Sequence, residues 1–155
     1  MSTKGAASRT HSKQKPGPLY GVDTMLFVYH FERNRKYGRR AAALFDAAER
    51  GRVRLVTSVL SLMEVLVLPR RLGDEQLCGR YRDIFRFFPN LTVRAVDEEI
   101  AEMAATLRAS AAIRPPDAIH LATAVVSGAE AFISQDRRLA RVADIPVRTL
   151  GSIDL

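Results

Sequence analysis

The sequence predicts an α/β domain with a central, mainly parallel β-sheet flanked by helices. Short β-branched, apolar runs alternate along the chain with longer segments of helical periodicity, and the connections between them are short. Strands that alternate with helices in this way form parallel sheets, because each return connection crosses a face of the sheet. The 155 residues, of which 47% are hydrophobic, suffice for one domain with a substantial core. We therefore expect a single domain over residues 18–155.

Residues 1–17 differ in composition from this domain. They are polar, rich in Gly, Ser and Lys, and end in a Pro-Gly-Pro turn sequence, which predicts a disordered basic arm. The arm contains four bases and no acid, so it supplies +4 of the formal +7 charge, and the rest of the chain has 20 bases against 17 acids, a net of +3. The arm can add phosphate attraction, or it can be only a solvated tail.

The first part of the domain is predicted to hold two strands and three helices. Asp23 or Thr24 can cap the first helix, Gly51 suits the end of the second, and Pro69 is expected to stop the third. The predicted elements are a strand at Leu19–Val22, helices at Met25–Phe31 and Gly38–Arg50, a strand at Val53–Thr57 and a helix at Ser58–Leu68.

The second part is predicted to continue the alternation. Asp97 is well placed to cap a helix, so we assign it a structural role, and the proline at Pro115 and the glycine at Gly128 suit a helix start and a helix end. The predicted elements are helices at Asp74–Phe88, Ile100–Ala112, Asp117–Ser127 and Arg137–Val142, and strands at Leu91–Val96, Ala131–Ile133 and Val147–Leu150.

The same composition argues against several protein classes. Charges interrupt the apolar stretches before they reach the roughly 18 residues of a membrane helix, and the first residues lack the apolar segment of a secretory signal. A lone cysteine, Cys78, has no second thiol for an internal disulfide. We therefore expect a cytoplasmic protein.

Four acids stand almost alone in apolar sequence. Asp23 is the only charged residue in the range 16–31, Glu64 in the range 55–69 and Asp117 in the range 115–129, while Asp136 follows five uncharged residues. An ionised carboxylate is expensive to bury without a partner, so these four positions need a shared explanation. Asp23 and Asp136 follow predicted strands, and open parallel sheets form sites outside the carboxyl ends of strands, where the strand order reverses.

If the acids converge, they suit a hard, oxygen-preferring ion. Crowded carboxylates without a Cys or His cluster favour Mg²⁺ or Mn²⁺ over zinc. Each acid also has a structural alternative. The three aspartates could each be a helix cap, and Glu64 could pair with Arg70 or Arg54. His120 lies on the same helical face as Asp117, but a lone histidine there is more often structural.

In four blocks the residues resemble the PIN-domain ribonucleases, especially the VapC toxins of bacterial type II toxin-antitoxin systems. Residues 21–24 (GVDT) resemble the opening strand and first acid of that family, and residues 57–65 (TSVLSLMEV) resemble its second block. Residues 116–124 (PDAIHLATA) are the most specific match, and residues 132–139 (FISQDRRL) resemble the fourth block. Departures are Met25, where a small polar residue is frequent, and Gln135, where Asn is common; neither removes an acid.

The resemblance implies a PIN-like three-layer fold and a metal-dependent endoribonuclease in which Asp23, Glu64, Asp117 and Asp136 are the catalytic metal ligands. It also implies Mg²⁺ or Mn²⁺ as cofactor, an RNA substrate, a cognate antitoxin and a homodimer. Ser134 and Thr24 are expected to support the ligands by hydrogen bonds. Several arginines are candidate phosphate contacts, and the sequence does not rank them: Arg33, Arg35, Arg70, Arg71 and Arg114.

Other functions remain open at this stage. A haloacid-dehalogenase-type phosphatase needs a second aspartate where the chain has Met25, and a receiver module needs a late lysine, whereas none follows Lys36. Two alternatives stay closer to the resemblance, namely a non-catalytic PIN-like nucleic-acid-binding module and an RNA-processing nuclease without an antitoxin.

Overall fold

A computed structural model describes residues 15–142 and 144–155. Over these residues the chain forms five strands and six α-helices: β1 (Leu19–Val22), α1 (Thr24–Phe31), α2 (Gly38–Glu49), β2 (Arg54–Ser58), α3 (Leu60–Arg71), α4 (Glu75–Phe87), β3 (Leu91–Arg94), α5 (Glu98–Ser110), α6 (Pro115–Val126), β4 (Ala131–Ile133) and β5 (Val147–Arg148). Two 3₁₀ helices, Arg137–Arg141 and Leu150–Ser152, flank β5. The predicted arm, apart from its last three residues, lies outside the described residues and stays a prediction.

The five strands form one parallel sheet in the order β3-β2-β1-β4-β5. From β1 the chain builds outward through β2 to β3, then returns to the other side of β1 and continues through β4 to β5. The strand order therefore reverses between β1 and β4, which places a crevice outside their carboxyl ends. This sheet confirms the predicted α/β class.

Two hydrophobic cores cover the two faces of the sheet. On one face Tyr20 and Val22 of β1 pack with buried residues of α1, α2, α3 and α4. On the other face Phe132 of β4 packs with buried residues of α5 and α6. Gly21 allows α6 to approach closely, because a Cβ at that position would lie 2.4 Å from the Cβ of Ala124. The result is the three-layer arrangement that the sequence predicts.

Some predicted boundaries are confirmed and others are wrong, including the ends of α3 and of α5, which ends at Ser110 rather than Ala112. Asp97 accepts a hydrogen bond from the Ile100 N–H at 2.9 Å, which confirms the predicted cap. Pro69 does not stop α3, because the helix continues to Arg71 with Pro69 buried inside its last turn. A proline there removes one backbone hydrogen bond, and burial of its ring against the core offsets part of the loss.

The edges of the sheet are shorter than predicted. β3 ends at Arg94 rather than Val96, and β5 holds only Val147–Arg148. The segment predicted as a short α-helix at Arg137–Val142 is a 3₁₀ helix over Arg137–Arg141. Among the described residues, no helix combines the length and apolar character needed to cross a membrane.

Candidate functional site

The structure places all four isolated acids on one cavity of about 510 Å³ at the carboxyl ends of the central strands. Asp23 directly follows β1, and Asp136 follows β4 and precedes the first 3₁₀ helix. Glu64 projects from α3 and Asp117 from the first turn of α6. The remaining lining residues are Thr24, Met25, Val28, Tyr29, Tyr37, Arg114, His120 and Gln135.

Asp23 is held at the point where the strand order reverses. Its backbone N–H donates to the Ile133 carbonyl of β4 at 3.0 Å, and its Oδ2 accepts from the Ser134 hydroxyl at 2.6 Å. Its side chain makes no capping hydrogen bond to α1, so the helix-cap alternative does not account for it. Burial raises the pKa of the Asp23 carboxyl above 3.8, and the Ser134 hydrogen bond opposes that rise.

Glu64 is oriented by two polar side chains from other helices. His120 Nε2 of α6 and the Thr24 hydroxyl of α1 both contact Glu64 Oε1, the hydroxyl at 3.2 Å. Burial raises the pKa of Glu64, but the interactions with His120 and Thr24 lower it overall. The predicted alternative partners are engaged elsewhere, since Arg70 lies 3.9 Å from Glu75 and Arg54 donates to a backbone carbonyl.

A chain of buried hydroxyl groups lies beneath Glu64. Thr24 Oγ1 is 2.8 Å from Ser61 Oγ, and Ser61 Oγ is 2.9 Å from Thr57 Oγ1. Thr57 donates in turn to the Val22 carbonyl at 3.2 Å. These contacts tie α1 and α3 to the ends of β1 and β2, and they fix the wall from which Glu64 projects.

The other two acids are held by arginines. Arg114 Nε donates to Asp117 Oδ2 at 3.0 Å, and Arg138 makes a forked contact to Asp136, with Nη2–Oδ2 at 2.7 Å and Nε–Oδ1 at 2.9 Å. The Arg138 hydrogen bond lowers the pKa of Asp136. Asp136 also accepts from the backbone N–H of Arg138 at 3.0 Å, so the capping alternative holds for this residue alongside its place in the cavity.

The donor chemistry fits a hard divalent ion, because four carboxylates face one cavity without a thiolate. In the observed arrangement, however, the described residues include no group of three or more His, Cys, Asp or Glu side chains positioned to hold an ion. Asp23 and Glu64 are held by a hydroxyl and an imidazole, whereas Asp117 and Asp136 are turned to arginines. A metal that uses all four acids requires the last two to leave those arginines.

Two features of the site were not assigned from the sequence. His120, interpreted as structural, contacts Glu64, and its buried Nδ1 has no hydrogen-bond partner among the residues that the structure describes. Its spacing of three residues from Asp117 on one helix is the signal that places both on the cavity. Arg138 was not among the candidate arginines, although it is only two residues from Asp136.

Comparison with known proteins places this geometry in context. A family model described as PIN domain matches residues 20–145. A toxin-antitoxin complex from Klebsiella pneumoniae has 25% sequence identity to the chain and a TM-score of 0.61, covering 86% of this chain and 98% of that one. FitAcB from Neisseria gonorrhoeae has 18% identity and a TM-score of 0.65, covering 87% and 99%.

VapC20 from Mycobacterium tuberculosis, described as a sarcin-ricin-loop-cleaving toxin, has 17% identity and a TM-score of 0.62, covering 83% of this chain and 98% of that one. Likenesses at these low identities show a common fold. A search of the curated proteins found no match to this sequence.

Proposed function

The chain belongs to the PIN domain family, and from that premise we propose that it is a metal-dependent endoribonuclease that acts as the toxin of a toxin-antitoxin pair. The family match confirms the resemblance predicted from the four sequence blocks. The solved structures with this fold include a toxin-antitoxin complex and a toxin described as cleaving the sarcin-ricin loop. They support a toxin nuclease, and the RNA substrate and the metal are parts of our proposal.

One observation carries the proposal, namely that four acids from separate parts of the chain face one cavity at the switch point of the sheet. Such carboxylates are costly to bring together unless a cation compensates them. We propose Asp23, Glu64, Asp117 and Asp136 as the ligands of one or two Mg²⁺ or Mn²⁺ ions.

When bound, a divalent ion supplies a water of lowered pKa and positive charge for the transition state of phosphodiester hydrolysis. The chain's own polar residues orient the carboxylates. Ser134 fixes the Asp23 carboxylate, and His120 and Thr24 fix that of Glu64. Because these three donors are buried, they hold the carboxylates in one orientation and limit the access of water to the floor of the cavity.

The surface beside the cavity supports a protein partner. Met25, Val59 and Met63 are 45%, 42% and 52% exposed, and Leu68 on the same helix as Met63 is 56% exposed. This apolar surface on α1 and α3 suits the amphipathic helix of an antitoxin. A homodimer is also part of the proposal, and we expect the complex in the cytoplasm.

The activity is tested by incubating the purified chain with RNA and Mn²⁺, then with excess EDTA. We expect cleavage that the chelator abolishes and Mn²⁺ restores. Asp23→Asn and Glu64→Gln should each reduce the rate by at least about 100-fold, because even changes to the partners of metal ligands cost 10- to 100-fold. Asp83→Asn and Glu102→Gln, both on exposed helix positions, are matched controls that should retain activity.

Unchanged cleavage in EDTA would contradict metal dependence, and equal activity of either site variant would exclude that residue. If neither wild type nor any variant cleaves RNA, a non-catalytic nucleic-acid-binding module becomes the better account.

The toxin role needs a separate experiment. The chain is expressed alone and together with its upstream neighbour, and growth, co-purification and RNase activity are measured. We expect growth arrest by the chain alone and rescue by a neighbour that co-purifies with it. Cleavage without growth arrest or a bound neighbour would favour an RNA-processing nuclease.

A further inference from the structure

The four acids of the cavity are held in two chemically different ways. Asp23 and Glu64 receive hydrogen bonds from the neutral hydroxyl of Ser134, the hydroxyl of Thr24 and the ring of His120. These donors orient the carboxylates, and the hydroxyls leave their charge in place. Asp117 and Asp136 instead form ion pairs with Arg114 and Arg138. Two of the four acids are therefore paired with arginines, and the other two are held by buried side chains.

Both arginines are far more exposed to solvent than the acids with which they pair. The side chains of Arg114 and Arg138 are 73% and 78% exposed, but those of Asp117 and Asp136 are only 18% and 26% exposed. Ion pairs with so much solvent around the cation are weak and are screened by salt. A divalent ion in the cavity carries twice the charge of a guanidinium and can contact several carboxylates at once.

A second cavity adjoins the first and is lined by the same two arginines. It has a volume of about 240 Å³ and shares Arg114, Asp117 and Asp136 with the first cavity. Arg138 and Arg141 line it as well. Arg114 is three residues from Asp117 and Arg138 two residues from Asp136, and both arginines line this cavity as well as contacting their acids. Three arginines around one cavity favour an anion such as a phosphate.

We propose that Arg114 and Arg138 are exchangeable counter-ions: they neutralise Asp117 and Asp136 in the metal-free protein, and metal binding releases them to contact an RNA phosphate in the adjoining cavity. This inference rests on the proposed metal-dependent nuclease. It explains why no three acids are gathered in the described structure although all four face one cavity. It also assigns Arg114 and Arg138 as substrate-positioning residues, of which Arg138 was not a candidate from the sequence.

The first test measures metal binding without RNA. Mn²⁺ is titrated calorimetrically into wild type, Arg114→Gln, Arg138→Gln and the double variant. Each single substitution should tighten Mn²⁺ binding by about 2- to 5-fold, the range in which exposed ion pairs compete, and the double variant by about 10-fold if the two sites are independent. Arg137→Gln is the matched control, because it removes an adjacent exposed arginine that pairs with neither acid. It should change the affinity by less than about 2-fold, since salt screens distant charges.

The second test measures binding of a 2′-O-methyl RNA oligonucleotide, which resists cleavage, in the presence of saturating Mn²⁺. The double variant should bind it more weakly than Arg137→Gln does. For single strands, the slope of log K against log salt concentration decreases in magnitude by about 0.7 for each lost phosphate contact. The slope of the double variant should therefore be smaller in magnitude than that of wild type by about 1.4.

The outcomes separate this inference from the proposed function. If wild type binds Mn²⁺ and the double variant changes the affinity no more than Arg137→Gln does, the exchange is overturned. The proposed metal-dependent nuclease is not affected by that result. If the salt slope of RNA binding by the double variant equals that of Arg137→Gln, the released arginines do not contact an RNA phosphate. Absence of Mn²⁺ binding in every variant overturns the inference and the proposed function together. Tighter Mn²⁺ binding with a reduced salt slope in the double variant supports the inference.

Discussion

Replacing Ser134 with alanine tests how the first acid of the site is held. The Ser134 hydroxyl donates to Asp23 Oδ2 at 2.6 Å and accepts from the Asp136 N–H at 3.0 Å. Ser134 is 1% exposed, so water does not readily replace the lost group. Removing a buried hydrogen bond to a charged group costs about 1.5–3 kcal/mol, and removing a neutral one costs about 1 kcal/mol. We therefore expect Ser134→Ala to lower the free energy of unfolding by about 2.5–4 kcal/mol at neutral pH.

The size of this loss should depend on pH. The pKa of Asp23 is raised by burial in the folded protein above its ordinary value of 3.8, and Ser134 holds that rise back. Between the unfolded and the folded pKa, the folded protein binds a proton that the unfolded chain has released, so stability falls as pH rises through this window. Ser134→Ala raises the folded pKa further and extends the window upward. The variant should thus lose more stability at pH 7.5 than at pH 4.5, because a larger fraction of the Asp23 carboxyl is ionised at the higher pH and needs a donor for its charge.

Urea unfolding in EDTA at these two pH values measures the effect. Ser61→Ala is the matched control, because Ser61 is also buried but bonds to the neutral hydroxyls of Thr24 and Thr57. It should cost about 2 kcal/mol, about 1 kcal/mol for each neutral bond, at both pH values. If Ser134→Ala loses the same amount at pH 7.5 as at pH 4.5, the Asp23 carboxylate does not depend on Ser134, and the reasoning fails.

Two further predictions concern packing and metal binding. Gly21→Ala should lower the free energy of unfolding by about 1–3 kcal/mol, because its Cβ would meet that of Ala124 at 2.4 Å. The control Gly79→Ala, which has open space around it in α4, should raise the free energy of unfolding by about 0.5–1 kcal/mol. Equal effects of the two variants in urea unfolding would contradict the close packing of α6 on β1. Asp117→Asn should gain less in melting temperature from added Mn²⁺ than wild type or the control Asp83→Asn. Equal gains would remove Asp117 from the ligand set.

Much of the fold could be predicted because it depends on local signals. Leu19–Val22 and Ala131–Ile133 are strands with the predicted bounds, since short apolar runs between turn residues have few alternatives. Gly51 and Gly128 lie at the predicted helix ends with φ of +73° and +72°, in the left-handed region that glycine adopts without strain. The convergence of the acids followed from the position of strand ends in a parallel sheet.

The features that were not predicted depend on contacts between distant parts of the chain. Pro69 was expected to end α3, but a proline near the end of a helix is tolerated when its ring is buried. The role of His120 depends on Glu64, which is 56 residues away, and no local pattern connects the two. The pairing of Arg138 with Asp136 is local, yet an exposed arginine after an acid is so common that the sequence alone does not single it out.

The central position of β1 has a consequence for the order of folding. Asp23 and its donor Ser134 are 111 residues apart, and β1 must pair with β4 before the Asp23 N–H can reach the Ile133 carbonyl. Pairings between such distant segments are slow steps, because a long loop must close before the contact stabilises it. During synthesis, a nascent chain that has emerged as far as α5 contains Asp23 and Glu64 but neither of the other acids. The four acids that line the cavity can therefore come together only after the last third of the chain has been translated.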